Sequence, residues 1–435
     1  MSFSKTIILI YKMINRGIKN LLILCLLVLG FFSLLFRKRR KKKIFFGPVP
    51  MIQYAYWKKS LIDSGYEVET IVYDHYKIHP KETFDKYTVD MVPKIFRFNK
   101  NLKLKLFAPF YGFYYVANNG LIFNTSFFGG FFGETIFWKV ELLMYKFFGI
   151  KILVSGYGGD FYAYSKVLDK SLTHALLSSY PNISKEENII NKKINFLVKK
   201  SDIILNGVQV DGLGRWDVLP VNMITIPDNM ILEKKKHKNI TDEIVIVHAP
   251  NHRGFKGSEF IIDSVEKLIN EGFKINFILL EGYENKEVIK VLKEKADILV
   301  EQVIFSGYAL NAIEGMSLGI PVLSNLSNNL YLEPFRRYSY LSECPILSTT
   351  PENLKNNIKL LIQNTQLRNE LGKLGIQYVK KYHSESTAKF MFGKIYNQLI
   401  NKVDEDLINM FHPLKSDFVK NNYINTPLSQ NRYNE

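Results

Sequence analysis

The sequence predicts an α/β protein made of two Rossmann-like, doubly wound domains that follow an N-terminal apolar helix. Three observations support this fold class. The chain has 435 residues, which is more than one ordinary hydrophobic core organises. Short apolar runs typical of buried parallel strands alternate with amphipathic helical stretches in both halves of the chain. An apolar stretch marginally long enough to cross a bilayer lies close to the N-terminus.

The first predicted element is the apolar helix that ends near Phe36. No charged residue occurs from Leu21 to Phe36. A helix counted from Ile18 would be about 28 Å long, close to the ~30 Å hydrocarbon core of a bilayer. We therefore predict that residues 18–36 anchor the chain, either as a transmembrane helix or as a helix lying at the membrane interface. A secretory signal peptide is the alternative, although no small-residue cleavage site follows the stretch.

Basic residues flank this helix on both sides. Four cations precede Leu21, and seven consecutive cations follow at 37–43. The positive-inside rule then places the remainder of the chain in the cytoplasm, with the basic run against anionic headgroups. We expect residues 1–43 to form an anchor at the cytoplasmic face of the cell (inner) membrane, with anionic lipids as partners.

The whole chain is basic. It carries 58 Lys and Arg against 41 Asp and Glu, a formal net charge of +17. Such a charge suits nucleic acid, anionic lipid or phosphorylated substrates. Nucleic acid is the least favoured partner, because the charge concentrates beside the apolar helix and no nucleic-acid-binding motif is present. The only cysteines, Cys25 and Cys344, argue against a disulfide framework or a cysteine metal site, which suits a reducing compartment.

The first α/β domain is predicted over residues 44–226. Its opening strand, 44–46, leads into a turn at Gly47, and a helix over 52–62 and a strand over 68–73 follow. Glycine in such a turn either lets a ligand approach the backbone or serves only the turn itself. The later elements of this domain are predicted as a strand over 150–154, a helix over 192–199 and a strand over 201–205.

The sequence allows two structural interpretations for each of two stretches in this domain. Residues 107–148 are crowded with aromatic side chains, which either pack into the core or form an aromatic-glycine loop that dips into the membrane interface. The glycine-rich segment 155–160 follows a strand and ends at Asp160. This carboxylate either faces a bound ligand or caps the turn that follows it.

The second domain is predicted over residues 227–383, after a solvated hinge with lysines at 234–236. A strand over 244–248 precedes a helix for which Ser258 is the predicted N-cap. The apolar face of that helix is predicted to carry Phe260, Ile261, Val265, Leu268 and Ile269. The next elements are predicted as a strand over 275–280, a helix over 286–295 and C-terminal helices over 353–362, 367–382 and 384–400. The polar tail, 411–435, is expected to be disordered.

The segment 296–325 holds the most informative pattern. A strand over 297–300, a loop with Gly307, a short helix and a second strand over 320–323 follow one another. In open α/β sheets this arrangement presents unpaired backbone N–H groups that bind anions. Glu314 is predicted in the first turn of the helix, where it either accepts hydrogen bonds from paired hydroxyls of a ligand or only stabilises the helix start.

Two of these motifs together resemble a known family. Arg253 and Lys256-Gly257 ahead of a helix, with Glu314-Gly-Met-Ser-Leu-Gly-Ile-Pro-Val ahead of a strand, resemble the nucleotide-sugar domain of GT-B glycosyltransferases. The nearest likeness is to the retaining group with an E-x7-E motif. Ser306 replaces the first glutamate of that motif, and Ala309 replaces the loop glycine. The resemblance implies that the two Rossmann-like domains face a cleft, and that residues 384–410 return to the first domain.

The resemblance also implies roles for individual residues. Arg253 and Lys256 would neutralise the departing diphosphate without a metal ion, and Asp160 would join them as a catalytic residue. Two solvated loop cations are the alternative for the first pair. The acidic triplet 404–406 is expected to be a solvated face and not a metal site. The implied donor-binding residues are Gly47, Glu281, Gly282, Ser306, Tyr308, Ala309, Leu310 and Glu314.

We therefore expect an enzyme that moves a sugar from a nucleotide-diphosphate-sugar donor to a lipid-linked saccharide or polysaccharide precursor, with retention and without a cofactor. A non-catalytic nucleotide-sugar-binding or partner subunit of a polysaccharide assembly complex is the main alternative, because the first motif glutamate is missing. A sugar-nucleotide epimerase of the same fold is another alternative, and nucleic-acid binding is the weakest.

Overall fold

The structure, a computed structural model, describes residues 3–38, 42–74, 80–97, 99–156, 158–208, 211–232 and 242–433. The lysines at 234–236, predicted as a hinge, and residues 39–41 of the basic run lie outside this range. The chain forms two compact units. The first extends to Asp160 and includes Asn195–Ile203, and the second comprises Phe161–Ile194 and the chain from Ile204 onward.

The first unit contains a doubly wound sheet of six strands. Its order is β3-β2-β1-β4-β5-β6, so the chain begins in the middle of the sheet and builds outward in both directions. The first five strands pair in parallel, and Phe46 lies in register with Thr70 on one side and Asn124 on the other. The strands are β1 Lys43–Phe46, β2 Val68–Val72, β3 Lys86–Tyr87, β4 Gly120–Thr125, β5 Lys151–Ser155 and β6 Ile203–Leu205.

One helix of the first unit matches its predicted bounds fully. The helix predicted over 52–62 has those bounds, because Tyr54, Trp57 and Leu61 bury one face against the sheet. The helices are α1 Phe3–Phe36, α2 Ile52–Ile62, α3 Thr88–Met91, α4 Lys100–Leu102, α5 Ala108–Asn119 and α6 Trp138–Phe147, with 3-10 turns at Lys81–Thr83 and Lys94–Phe96 and a π-turn at Lys103–Phe107.

The aromatic-rich stretch contributes to the core of the first unit. Phe127, Phe131 and Phe132 are buried, and only Phe128 of this group is substantially exposed. The carboxylate of Glu141 accepts the backbone N–H groups of Phe131 and Phe132, both at 2.7 Å. Core packing is therefore the arrangement of the aromatic-glycine loop 127–132, whereas Phe147 at the end of the stretch is exposed.

Helix α1 is longer than predicted and contains the expected apolar stretch. Among the described residues, one helix is long and apolar enough to cross a membrane, over Arg16–Phe36 with a mean hydropathy of 2.4. Length and composition alone are weak support for a membrane span, since core helices and signal sequences share them. The localisation therefore stays a prediction.

The second unit contains a parallel sheet of five strands in the order β11-β10-β9-β7-β8. Reversal of the strand order beside β7 gives the doubly wound form. Ile246 of β7 pairs with Phe277 of β8 and with Ile298 of β9, which places all three strands in the buried core. The strands are β7 Ile244–His248, β8 Ile275–Leu279, β9 Ile298–Gln302, β10 Val322–Ser324 and β11 Leu347–Ser348.

Most helices of the second half were predicted to within a few residues, but the helix predicted over 192–199 begins earlier, at Glu187. The helices are α7 Lys170–Ser179, α8 Glu187–Lys200, α9 Arg253–Lys256, α10 Ser258–Asn270, α11 Asn285–Glu294, α12 Leu310–Ser317, α13 Asn329–Tyr338, α14 Leu354–Gln363, α15 Thr365–Tyr382, α16 Glu385–Tyr396 and α17 Asp417–Lys420. Shorter turns are the 3-10 segments Tyr164–Lys166, Ile183–Glu186, Asp228–Met230 and Leu341–Glu343 and the π-turn Asn397–Asn401.

The packing of residues 161–194 differs from the predicted division at residue 226. The sequence groups this segment with the first domain, whereas it packs within the second unit. The backbone N–H of Asp169 donates to the Tyr331 hydroxyl at 3.1 Å, and Asn328 donates to the Asp169 carboxylate at 3.0 Å. The return of residues 384–410 to the first domain stays a prediction.

The start of α10 corrects another prediction. Gly257, with φ +78°, occupies the N-cap position, and the Ser258 side chain makes no cap hydrogen bond. A side chain at 257 would come within 2.5 Å of Val303, so this position requires glycine for both reasons. Phe260 and Ile269 were predicted on the apolar face, but about half of each side chain is exposed.

The predicted disorder of the C-terminal tail is wrong for its described part, which ends at residue 433. Val419, Ile424 and Leu428 are buried. The Asn431 amide donates to the Cys344 carbonyl at 2.8 Å, and the backbone N–H of Ser348 donates to the Asn431 carbonyl at 2.7 Å. A few apolar residues spaced along a polar segment are thus enough to fix the tail on the second unit.

Candidate functional site

The carboxyl edge of the second sheet gathers most of the predicted residues. At the end of β7, the His248 ring contacts the Val300 carbonyl and the Ser258 hydroxyl, each at 2.8 Å. Burial of this ring lowers the pKa of His248 to about 4, so the imidazole is neutral at physiological pH. His248 therefore fixes the start of α10 to β9, which explains why Ser258 does not serve as a cap.

Lys256 is buried in an ion pair and does not lie in solvent. Its Nζ donates to a carboxylate oxygen of Glu301, and at 2.7 Å to the amide oxygen of Gln302. The other Glu301 oxygen lies 3.0 Å from the Ser324 hydroxyl and 3.4 Å from the backbone N of Ala309. This cluster balances the lysine charge inside the protein, and it excludes a simple solvated loop cation as the interpretation of Lys256.

Arg253 has a different environment from Lys256. Its guanidinium donates to both oxygens of Glu259, at 2.7 and 3.0 Å, and to Glu281 at 2.9 Å. All three side chains are substantially exposed. Glu281, predicted to bind a donor, therefore holds Arg253 in this structure, and Gly282 forms the adjoining turn with φ +75°. An incoming anion could replace either carboxylate without uncovering a buried charge.

The loop before α12 is fixed by side chains from neighbouring strands. The Gln302 amide donates to the carbonyls of Phe305 and Gly307, at 3.2 and 3.0 Å, and the Gly307 N–H donates to the Asn325 carbonyl at 2.8 Å. The Ser306 side chain is fully buried, and its hydroxyl has no hydrogen-bond partner among the described residues. Ser306, which the sequence matches to the motif glutamate, therefore carries an unsatisfied polar group.

Three further predicted residues surround the start of α12. The Tyr308 side chain is buried, and its hydroxyl lies 2.9 Å from both Tyr378 Oη and His383 Nε2. Ala309 is the N-cap residue, and Leu310 begins the helix. Any donor contact at Tyr308 would therefore use its backbone, because its hydroxyl is occupied within an aromatic cluster.

Glu314 lies one turn further along α12 than predicted, as the fifth residue of the helix. The helix dipole is weaker there than in the first turn. One carboxylate oxygen accepts a hydrogen bond from the Asn285 amide at 2.9 Å. Burial raises the pKa of Glu314 to about 7, and the Asn285 hydrogen bond partly opposes the shift. The carboxylate is suited to accept further hydrogen bonds, which would favour its ionised form.

The two candidates of the first unit have structural roles. A side chain at Gly47 would come within 1.9 Å of the Ile71 carbonyl oxygen, so close packing against β2 requires glycine. The buried Asp160 carboxylate accepts the N–H groups of Phe127, at 2.9 Å, and Gly158, at 3.0 Å. It thus fixes backbone that precedes it and not the turn that follows. Roles of either residue toward a ligand stay predictions.

No group of three or more His, Cys, Asp or Glu side chains is arranged to hold a metal ion in the described part of the chain. Within the acidic triplet 404–406, Glu405 pairs with Lys394 at 2.6 Å and accepts a hydrogen bond from Asn397 at 2.7 Å. The independence from metal expected from the sequence is not tested by this arrangement.

Sequence reasoning missed three residues that shape this edge. Glu301 and Gln302 bind Lys256, and Asn285 binds Glu314. A signal for the first two was present, since polar residues directly after the apolar run of β9 must lie at the carboxyl end of a buried strand. No local pattern marks Asn285, which reaches Glu314 only through the fold.

Comparisons with known proteins address the fold. No family model matches the sequence, and no curated protein matches it in sequence. The fold is similar to that of sucrose-phosphate synthase from Thermosynechococcus elongatus, with 12% identity over 84% of this chain and 100% of that chain and a TM-score of 0.53. It is also similar to Anabaena HepE, crystallised with UDP-glucose, with 10% identity over 81% of this chain and 98% of that chain and a TM-score of 0.50. At this identity the likeness shows the GT-B arrangement of two parallel, Rossmann-like sheets, which confirms the predicted fold class.

Proposed function

We propose that the protein is a membrane-associated glycosyltransferase that uses a nucleotide-diphosphate-sugar donor. In this proposal it transfers the sugar to a lipid-linked saccharide or polysaccharide precursor at the cytoplasmic face of the membrane, with retention and without a metal ion. One observation carries the assignment. Glu314 offers a buried carboxyl with a pKa of about 7 at the carboxyl edge of a doubly wound sheet, where such folds bind nucleotides.

The buried carboxyl suits the ribose of a nucleotide. Paired ribose hydroxyls are hydrogen-bond donors, and they would stabilise the ionised carboxylate where burial alone disfavours it. The Asn285 amide already holds one carboxylate oxygen and so orients the group. HepE, which shares the fold, binds UDP-glucose, and this likeness supports the donor class for the present chain.

The diphosphate would be neutralised by Arg253. Its planar guanidinium presents a fork of N–H donors to phosphate, and its present partners are exposed carboxylates that solvent can replace. Lys256 would contribute less charge, because Glu301 already balances it. Its contribution would be to hold the loop before α12 in place through Glu301 and Gln302.

Transfer would break the bond between the anomeric carbon and the leaving phosphate oxygen. A bond from the acceptor hydroxyl oxygen to the same carbon would form on the same face, and the acceptor proton would pass to the leaving phosphate. The nucleoside diphosphate is then released, with its developing charge stabilised by Arg253. This scheme requires no additional base from the protein.

A thermal-shift panel of nucleotide sugars, followed by transfer assays with lipid-linked acceptors, tests the proposal. A ligand that binds only the folded state raises the melting temperature. We expect at least one nucleotide sugar to do so and to be consumed when acceptor is present. Absence of binding across the panel would refute the donor assignment.

A non-catalytic nucleotide-sugar-binding subunit is the second candidate. It is favoured by two features of the site, the replacement of the motif glutamate by Ser306 and the neutralisation of Lys256 by Glu301. Such a subunit would bind the same nucleotide sugar but would neither hydrolyse nor transfer it. Product analysis after incubation with donor and acceptor separates the two functions.

A further inference from the structure

The apolar helix α1 packs along the first unit and does not stand free of it. Phe110 lies against Gly30, where a Cβ would come within 3.0 Å of its ring. The Phe31 ring contacts the rings of Phe147 and Phe148 at the end of α6, with centroids 5.2 and 5.5 Å apart. These contacts fix the second half of α1 to the protein.

Contacts of α1 extend along its whole apolar stretch. The Ser33 hydroxyl lies 2.8 Å from the Tyr114 hydroxyl. Ile23, Leu27 and Leu34 are buried, which fits the spacing of one helix face. Helix α1 also contacts the π-turn Lys103–Phe107 and helix α5 of the first unit.

The opposite face of α1 is exposed and almost entirely apolar. A docked helix of a soluble protein presents polar residues to water, so this face is an exception. Leu29 is 66% exposed, and no residue from Leu21 to Phe36 is charged. The exposed apolar residues of this face are Leu21, Leu22, Leu24, Val28, Leu29, Phe32, Leu35 and Phe36.

Helix α6 presents a second exposed apolar stripe. Val140, Leu143 and Phe147 follow one another at helical spacing and are all exposed, while Glu141 and Tyr145 on the opposite face are buried. Because the Phe147 ring contacts Phe31, this stripe adjoins α1. We call the exposed face of α1 together with Val140, Leu143 and Phe147 the α1/α6 face.

We propose that the α1/α6 face lies in the plane of an anionic membrane surface, so that the protein is monotopic and α1 does not cross the bilayer. This inference deepens the proposed membrane association. It identifies the two helices that make the contact and the lipid class that they recognise.

Charge selects an anionic membrane as the partner. Residues 1–43 contain eleven Lys and Arg and no Asp or Glu, and the sequence has no acidic residue before Asp63. A second copy of the chain would bring the same positive charge against this face, whereas anionic headgroups neutralise it. Apolar side chains between flanking cations are the composition that favours the membrane interface.

The docking of α1 also argues against a span. If α1 crossed the bilayer in its present position, the parts of the first unit beside it would enter the hydrocarbon. Lys103 and Lys105 of the π-turn that α1 contacts would then leave water at high cost. Lying in the plane, α1 buries its apolar face in lipid and leaves these groups at the interface.

Vesicle flotation with the full chain tests the surface. The double variant Val140→Asp/Leu143→Asp changes only exposed positions of α6, and the control Leu177→Asp/Ile269→Asp changes two exposed residues of the second unit. Leu143, Leu177 and Ile269 are each 45% exposed, so the variants are matched. On phosphatidylcholine vesicles with phosphatidylglycerol, we expect the α6 variant to lose about tenfold or more in partition coefficient and the control to bind like the wild type. Equal losses in both variants, or wild-type binding by the α6 variant, would overturn the proposal.

A labelling experiment distinguishes the in-plane arrangement from a span. The variant protein carries Ser2→Cys and Cys25→Ser, so that its only other thiol is the buried Cys344, which the reagent does not reach. This protein is added to preformed vesicles and treated with a membrane-impermeant maleimide. We expect full labelling without detergent, because both ends of α1 stay on the outer side. Labelling only after detergent would show that the helix spans the bilayer.

Two further measurements separate the membrane-binding proposal from self-association and from the proposed donor binding. Gel filtration with light scattering reports self-association, and a dimer that the α6 substitutions dissociate would overturn the membrane assignment in favour of a second copy. Nucleotide-sugar binding by thermal shift uses residues of the second unit. Failure of donor binding therefore refutes the proposed function and leaves the flotation result intact.

Discussion

Replacing Lys256 by Met should destabilise the protein strongly, because it leaves a buried carboxylate without its cation. The Lys256 side chain is 9% exposed and that of Glu301 is fully buried. After the substitution, Glu301 keeps only the Ser324 hydroxyl at 3.0 Å and the distant Ala309 N–H at 3.4 Å among these partners. Breaking a buried ion pair by removing one partner costs about 3–5 kcal/mol.

The assay is equilibrium urea unfolding at neutral pH, followed by circular dichroism. The double variant Lys256→Met/Glu301→Gln should recover most of the lost stability, because no buried charge remains. Arg253→Met is the matched control, since its exposed ion pairs contribute little to stability.

Two results would refute this reasoning. If Lys256→Met is no less stable than Arg253→Met, Lys256 is not the partner of a buried carboxylate. If the double variant is as unstable as the single one, the loss comes from packing of the lysine stem and not from the unpaired charge of Glu301.

Three further predictions concern other parts of the chain. Arg253→Ala should lower turnover by about 10²–10³-fold, as loss of one electrostatic stabiliser does, with little change in the melting temperature; unchanged steady-state rates would remove Arg253 from the leaving-group role. Deleting residues 413–433 should cost about 5 kcal/mol or more, since Val419, Ile424 and Leu428 leave the core, and an unchanged urea midpoint would contradict this. Because the pKa of His248 is lowered to about 4 in the folded state, the unfolded chain binds the extra proton first, and stability should fall by up to about 3 kcal/mol as the pH drops from about 6.5 to 4. His248→Gln should remove this share of the acid sensitivity and leave the share of His383, whose pKa burial also lowers to about 4, and an unaltered profile would assign the acid sensitivity to other groups.

Strong local patterns made much of the fold predictable. Helix α2 and strand β7 were predicted with the bounds that the structure has. Strand β7 is a continuous apolar run, and α2 buries Tyr54, Trp57 and Leu61 at helical spacing. Short elements with few apolar residues, such as β3 and β11, gave no pattern long enough to separate them from loops. The order of the C-terminal tail could not be predicted for a similar reason. Its buried apolar residues are too widely spaced to form a helical or strand periodicity.

The candidate site was predictable in position and less so in detail. Parallel strands place their carboxyl ends at one edge, so Arg253, Lys256 and Glu314 could be grouped from the chain order. The sequence could not predict which charged side chains form ion pairs with one another. Lys256 and Glu301 meet through the fold, and that contact changes the lysine from a free cation to a charge-balanced residue.

The most direct test of the donor site is calorimetric titration of the wild type and Glu314→Gln with the best nucleotide sugar from the thermal-shift panel. Glutamine keeps an acceptor for the Asn285 amide, so the variant should stay folded. Ribose hydroxyls favour the ionised carboxylate, so wild-type binding should release a proton below pH 7, and affinity should weaken by up to about tenfold per pH unit toward pH 5. We expect Glu314→Gln to bind about 10–100-fold more weakly and without this pH dependence. Equal affinity and an equal pH profile in both proteins would contradict the placement of the nucleotide at Glu314.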